Sequence, residues 1–224
     1  MESQMKQARR SPPRGYTMVE VMIVTGIISV MATVLATVNK TSLSLYQDAS
    51  AQSDLDMRAQ NLVDQMANDI KDSSTNKIIL QSATVQNTSP TVPAVSISFN
   101  KCIPPATPSL VPVFDAGWKY QLDQGRTFTQ SNGNTLYLWT LSLYQWNGAA
   151  WVLYTQLADN VQNLVFTETQ FPSQVTPTTV TQTSIYIQLT LARMDYLAEQ
   201  GKSTSDDVEL STTAETTVLV QNVK

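Results

Sequence analysis

Histidine is absent from all 224 residues. That removes the commonest general base, the commonest metal ligand and every Ser-His or Cys-His nucleophile pair. Cysteine occurs once, as Cys102, so no disulfide can close within the chain. A small buried apolar residue is the expectation for it, rather than a reactive thiol. Charged residues are only 14% of the chain. Ser, Thr, Gln and Asn fill the polar positions instead, which suits an exported β-rich surface better than a cytosolic enzyme. There is no basic stripe. Ahead of Tyr16, Lys6, Arg9, Arg10 and Arg14 face one acid, Glu2, giving +3; with −4 for the whole chain, the remainder carries −7. An acidic domain of this kind is not expected to bind nucleic acid. Gly-rich phosphate loops, Cys/His metal patterns and G-x-S-x-G elbows are also missing, and no cofactor is expected.

What the sequence does have is a long apolar run. Residues 1–15 are polar and basic, with Pro12 and Pro13 opposing helix, and the run begins abruptly at Tyr16 and continues to Val38. About 20 apolar residues span a bilayer core, and the basic flank predicts that the N-terminal side stays cytoplasmic. An ordinary secretory signal has a shorter apolar stretch and a small-residue cleavage site after it. No such site follows Val38, so the segment reads as retained. Glu20 stands near its start. A carboxylate deep in the apolar layer costs about 2.5–3.5 kcal/mol and usually has a partner. Either Glu20 lies at headgroup level, solvated, or a positive group meets it within an assembly.

Arg14-Gly15-Tyr16-Thr17-Met18-Val19-Glu20 resembles the type III signal sequence of type IV pilins and type II secretion pseudopilins. The match comprises the basic leader, the glycine, an aromatic in place of the usual phenylalanine, Thr17, the glutamate at the fifth mature position and the uninterrupted apolar run. The resemblance implies that a prepilin peptidase cuts between Gly15 and Tyr16 on the cytoplasmic side and methylates the new amine of Tyr16. It also implies that Glu20 and Thr17 serve assembly, Glu20 meeting the Tyr16 amine of a neighbouring subunit. Gly15 suits such a cut, because without a side chain its extended backbone enters a cleft freely. On this reading Glu20→Ala leaves insertion and processing intact and weakens assembly.

Beyond the membrane length the helix pattern continues. Leu43, Tyr46, Ala49, Leu55, Leu62, Met66 and Ile70 recur near helical spacing, with Asp54, Asp56, Asp64 and Asp69 on what reads as a solvated face. No proline interrupts Tyr16–Asp72, so one helix is expected to run to about Lys71. Thr25, Ser29, Thr33 and Thr37, spaced by four, form a small weakly polar stripe. Such a stripe permits close helix packing in lipid, or its hydroxyls bond back to their own helix. From Ile78 the pattern becomes strand-like. Strands are expected at Val95–Phe99, Leu136–Trp146, Trp151–Tyr154, Val161–Thr167, Ser184–Leu191 and Thr216–Asn222, with loops over Lys101–Pro112, Phe171–Thr183 and Glu199–Glu209. Asn147-Gly148 between aromatic runs is a strong hairpin signal. Of the aromatics flanking it, Trp139, Tyr144, Trp146, Trp151 and Tyr154, about half are expected in the core and the rest could form an exposed adhesive surface.

A long helix followed by consecutive strands is an α+β fold: an N-terminal helix, membrane-spanning in its first half, packed on an antiparallel sheet. That is the order of a pilin. The organisation expected is a cleaved leader at 1–15, a transmembrane and assembly helix at 16–38, its amphipathic continuation at 39–72 and a β-rich globular domain at 73–224. Leu157-Ala158-Asp159-Asn160-Val161, continuing to Phe166 and followed by Ser184–Leu191, is similar to the C-terminal half of minor pilins of the W type and minor pseudopilins of the J type. The C-terminal disulfide of many pilins cannot form here.

Asp206, Asp207 and Glu209 are weak Ca²⁺ candidates, too few and too irregular for a six- to eight-oxygen shell, and a solvated acidic loop is the plainer reading. The resemblance implies a structural subunit, not an enzyme. Its expected partners are other pilin or pseudopilin subunits, the prepilin peptidase, and an inner-membrane platform driven by a cytoplasmic ATPase. It would sit in a bacterial inner membrane with a periplasmic globular domain before entering a surface pilus or periplasmic pseudopilus. A pseudopilus-tip subunit of type II secretion and, more distantly, a membrane-tethered glycan-binding module remain alternatives.

Overall fold

The computed structural model describes residues 15–73, 77–82, 89–103, 113–129, 133, 135–172, 181–193 and 210–220. The chain forms two compact units, Met1–Ala49 and Ser50–Lys224.

In the first unit the described residues form the start of α1, a helix over Met18–Lys71. Its large apolar side chains, from Met18 through Ile28 and Leu35 to Val38, are all exposed. This is a helix long and apolar enough to cross a membrane by length and composition, with a mean hydropathy of 2.4 over an 18-residue window.

In the second unit α1 becomes one-sided. Leu55, Ala59, Val63, Met66 and Ile70 are its buried residues, and steps of three and four put them on one face. That face starts later than the periodicity suggests. Leu43 and Tyr46 are 63% and 74% exposed, because they belong to the first unit, whose described residues include no sheet to cover them. The helix ends where expected, with the Ser73 amide donating to the Ile70 carbonyl at 3.0 Å.

The strands are β1 (Ile79–Gln81), β2 (Ser96–Phe99), β3 (Cys102–Ile103), β4 (Val113–Phe114), β5 (Trp118–Thr129), β6 (Thr135–Trp146), β7 (Trp151–Pro172), β8 (Thr181–Arg193) and β9 (Leu210–Val220). Seven of them make one antiparallel sheet in the order β1-β2-β5-β6-β7-β8-β9, and β3 pairs with β4 apart from it. The helix face and the inward residues of this sheet, among them Ile97, Tyr120, Trp139, Leu164 and Ile187, form one core. Each fully buried Val, Ile or Met of the helix contributes about 1.5–3 kcal/mol of apolar transfer. The α+β architecture is that of a long helix on an antiparallel sheet.

Several details differ from the sequence reading. β1, β3, β4 and β5 are additional strands, β3 lies inside the expected loop over Lys101–Pro112, and β7 and β8 run into the ends of the loop expected over Phe171–Thr183. The segments 151–154 and 161–167 are parts of one strand, β7, kept continuous by register shifts opposite Trp139, Leu141 and Leu143. Asn160, inside it, takes the left-handed backbone at φ 59°, which asparagine tolerates better than most residues. The hairpin between β6 and β7 closes with Trp146 opposite Trp151, so its loop has four residues. The Asn147 side chain accepts from the amides of Ala149 and Ala150 at 2.9 and 2.8 Å, and Gly148 takes φ +97°.

β5 and β6 slip register between Gln124 and Thr127, and Gly125 sits in the slip. A Cβ there would lie 2.2 Å from the Leu138 carbonyl oxygen. That neighbour is backbone and cannot swing away. Gly125→Ala should therefore destabilise the fold by about 1–3 kcal/mol. Thermal unfolding of the detergent-solubilised chain checks this, and an unchanged midpoint refutes it.

Asp69 is not a solvated member of the helix's acidic face. It accepts from the Tyr120 hydroxyl at 2.6 Å and pairs with the Lys101 ammonium at 2.7 Å. Burial, and after it the Asp69 carboxylate, push the Tyr120 hydroxyl well above the ordinary tyrosine range. Asp54 pairs with Arg58, Asp56 accepts from Gln52 and the Thr212 hydroxyl, and Asp64 accepts from Gln60.

Candidate functional site

Gly15, Tyr16 and Thr17 precede the helix in non-helical backbone, and all three are exposed. Tyr16 is 86% exposed. Nothing lies within 4 Å of where a Gly15 side chain would begin.

The start of α1 is set by a reciprocal pair. The first four amides of a helix have no partner within it. The Thr17 hydroxyl accepts from the Glu20 amide at 3.3 Å, and the Glu20 carboxylate accepts from the Thr17 amide at 2.8 Å. The Thr17 hydroxyl also donates to the same carboxylate oxygen, Oε2, at 3.1 Å. This is a capping box, T-x-x-E, with Thr17 as N-cap and Glu20 three residues on. The negative charge also lies where the helix dipole favours it. Both groups were singled out above for assembly, and the capping role is additional. The spacing itself was the signal that could have shown it. Glu20 Oε1 carries no hydrogen bond among the described residues. The box therefore uses one carboxylate oxygen and leaves the other open.

The small polar stripe is committed to its own helix. Thr25 donates to the Val21 carbonyl at 2.6 Å, and Ser29, Thr33, Thr37 and Thr41 each repeat the bond four residues on at 2.8–3.0 Å. Such back-bonding satisfies the hydroxyls without a neighbour and leaves the stripe narrow.

On the sheet, Trp139 is the fully buried member of the hairpin aromatics. The others stack among themselves and under lysines. Trp118 meets Tyr154 edge-on at 5.2 Å and Trp146 meets Trp151 at 5.4 Å. The Lys119 ammonium stands over Tyr144 and Trp151 at 5.3 and 5.0 Å. Burial holds that ammonium below the ordinary lysine range, with Asp123 opposing. Burial, then the bond to Asp123, pushes the Tyr144 hydroxyl up to about 12. Trp146 and Tyr154 have no lysine over them and stay exposed, at 36% and 63%.

Among the described residues no group of three or more His, Cys, Asp or Glu could hold a metal ion. Asp206, Asp207 and Glu209 lie outside them. Cys102 is half-buried in β3, with its amide donating to the Asp72 carbonyl at 3.0 Å, rather than in the core as expected.

The site is thus an exposed extended segment, a capped helix start with an open carboxylate oxygen, and an apolar helix able to cross a membrane. By length and composition such a helix is able to anchor the chain in a membrane. The prokaryotic N-terminal methylation motif matches residues 10–36. The match supports the type IV pilin and pseudopilin family, with a structural role, partnership with other pilins and a prepilin peptidase, and anchoring by the N-terminal helix. No curated protein and no solved structure matches the chain.

Proposed function

We propose that the protein is a minor subunit of a type IV pilus. It is cut between Gly15 and Tyr16 by the prepilin peptidase, methylated at Tyr16, and assembled through the first half of α1, where it primes, caps or decorates the filament. The observation that carries this reading is the coincidence of the methylation motif at 10–36 with an exposed, non-helical Gly15–Tyr16 bond. An apolar helix surface exposed on every side supports it, since helices with small residues pack closely on one another in lipid and in filament cores. The globular domain lies on the periplasmic side before assembly, driven by the platform and its ATPase. The minor W-type or J-type assignment rests on Asp159-Asn160-Val161. Within that tripeptide Asn160 takes a positive φ and Val161 is fully buried.

The test is the intact mass and N-terminal peptide mass of the protein from its native membrane and from sheared surface filaments. A chain beginning at methylated Tyr16 and present at low abundance in the filaments is the expected result. The same chain absent from filaments and retained in the envelope would move the assignment to a type II secretion pseudopilus. A chain still beginning at Met1, or cut beyond Val38, would overturn the prepilin reading in favour of a tethered or secreted module, and a glycan array would then be the next measurement.

A further inference from the structure

We propose that Thr17 is a positioning residue for processing: by capping α1 it keeps the Gly15–Tyr16 bond out of the helix and available to the peptidase. The inference rests on the prepilin reading above and concerns how this chain presents its own scissile bond.

The geometry is local. The first helical bond runs from the Val21 amide to the Thr17 carbonyl at 3.2 Å. Gly15 and Tyr16 lie ahead of it in non-helical backbone. A protease cleft recognises an extended peptide through main-chain hydrogen bonds, and residues inside a helix have those groups occupied. One further turn of helix would therefore close the site. The apolar run favours such an extension, because helix satisfies the backbone wherever water is scarce. What opposes it is Thr17, whose side chain competes for the Glu20 amide and whose own amide is taken by Glu20. A capping residue holds non-helical dihedrals itself, so the boundary falls one residue past the scissile bond.

Charge at position 20 is not needed for this function. Glutamine completes the same box. Capping and any charge pairing by Glu20 can therefore be separated.

The experiment uses the full chain in membranes with a prepilin peptidase, following by N-terminal peptide mass the fraction of chains that begin at Tyr16. Thr17→Val removes the hydroxyl at nearly constant shape. It should be cut more slowly: a lost N-cap of typical strength moves the balance between the open start and the extended helix about fivefold toward the helix, and the rate falls by at most that factor. Thr17→Ser and Thr17→Asn cap as well with different shapes and should be cut at the wild-type rate, as should Glu20→Gln. Wild-type cleavage of Thr17→Val overturns the proposal. So does slow cleavage of both Thr17→Ser and Thr17→Asn, which would mean that the enzyme contacts the threonine directly. If the wild-type chain is not cut after Gly15, the prepilin reading fails and this inference falls with it.

Discussion

Glu20→Ala chains should insert and be cut, yet enter filaments about a hundredfold less than wild type. On the proposed reading Glu20 Oε1, left open by the capping box, accepts from the Tyr16 amine of a neighbouring subunit. Removing one partner of a desolvated pair costs about 3–5 kcal/mol, because the other charge stays buried alone, and every 1.4 kcal/mol is a factor of ten. Cleavage survives because the alanine variant keeps the Thr17 hydroxyl as acceptor for the amide of residue 20. Glu20→Gln is the sharper variant. It keeps both halves of the box and removes only the charge, so it should also fail to assemble. The measurement is the ratio of mutant to wild-type N-terminal peptide in sheared filaments against the same ratio in membranes. Equal ratios for Glu20→Gln would leave the carboxylate with its capping role alone.

Asp69→Ala should cost about 3 kcal/mol of stability and lower the thermal midpoint by several degrees. The carboxylate joins α1 to two parts of the sheet domain, accepting from Tyr120 on β5 and pairing with Lys101 just before β3. Tyr120 is fully buried, so its hydroxyl would lose a partner that water cannot replace. Lys101 and Asp69 are partly exposed, with side chains 32% and 18% accessible, which places the estimate at the low end of the range for broken buried pairs. Asp69→Asn keeps an acceptor for Tyr120 and should recover roughly half of the loss. Thermal unfolding of the solubilised chain measures both. An alanine variant as stable as wild type would mean that the helix is held by its apolar face alone.

Much of the architecture could be read from residue order, for physical reasons that act locally. The apolar run of α1, its amphipathic second half and its end near Lys71 follow from helical periodicity and from the lack of proline. Asn147-Gly148 marks its hairpin because few residues accept positive φ, although the loop closes two residues wider than that dipeptide alone suggests. The first half of β5 also alternates, Tyr120 and Leu122 inward against Lys119, Gln121 and Asp123 outward, so a strand was legible there. Its second half was not. Gly125 and Arg126 break the alternation at a register slip whose purpose exists only opposite Leu138.

The candidate site divides in the same way. By itself the sequence determined the membrane-length helix and the T-x-x-E spacing at its start, because each depends on residues near one another in the chain. Only the tertiary structure decided which carboxylates matter beyond solvation. Asp54, Asp56, Asp64 and Asp69 look alike along the helix, yet Asp69 alone among them meets both a buried tyrosine and a lysine, through contacts made by distant segments. It likewise decided that inward packing begins at Leu55 and not at Leu43. Periodicity records which face of a helix is apolar, whereas burial also requires a sheet on the other side.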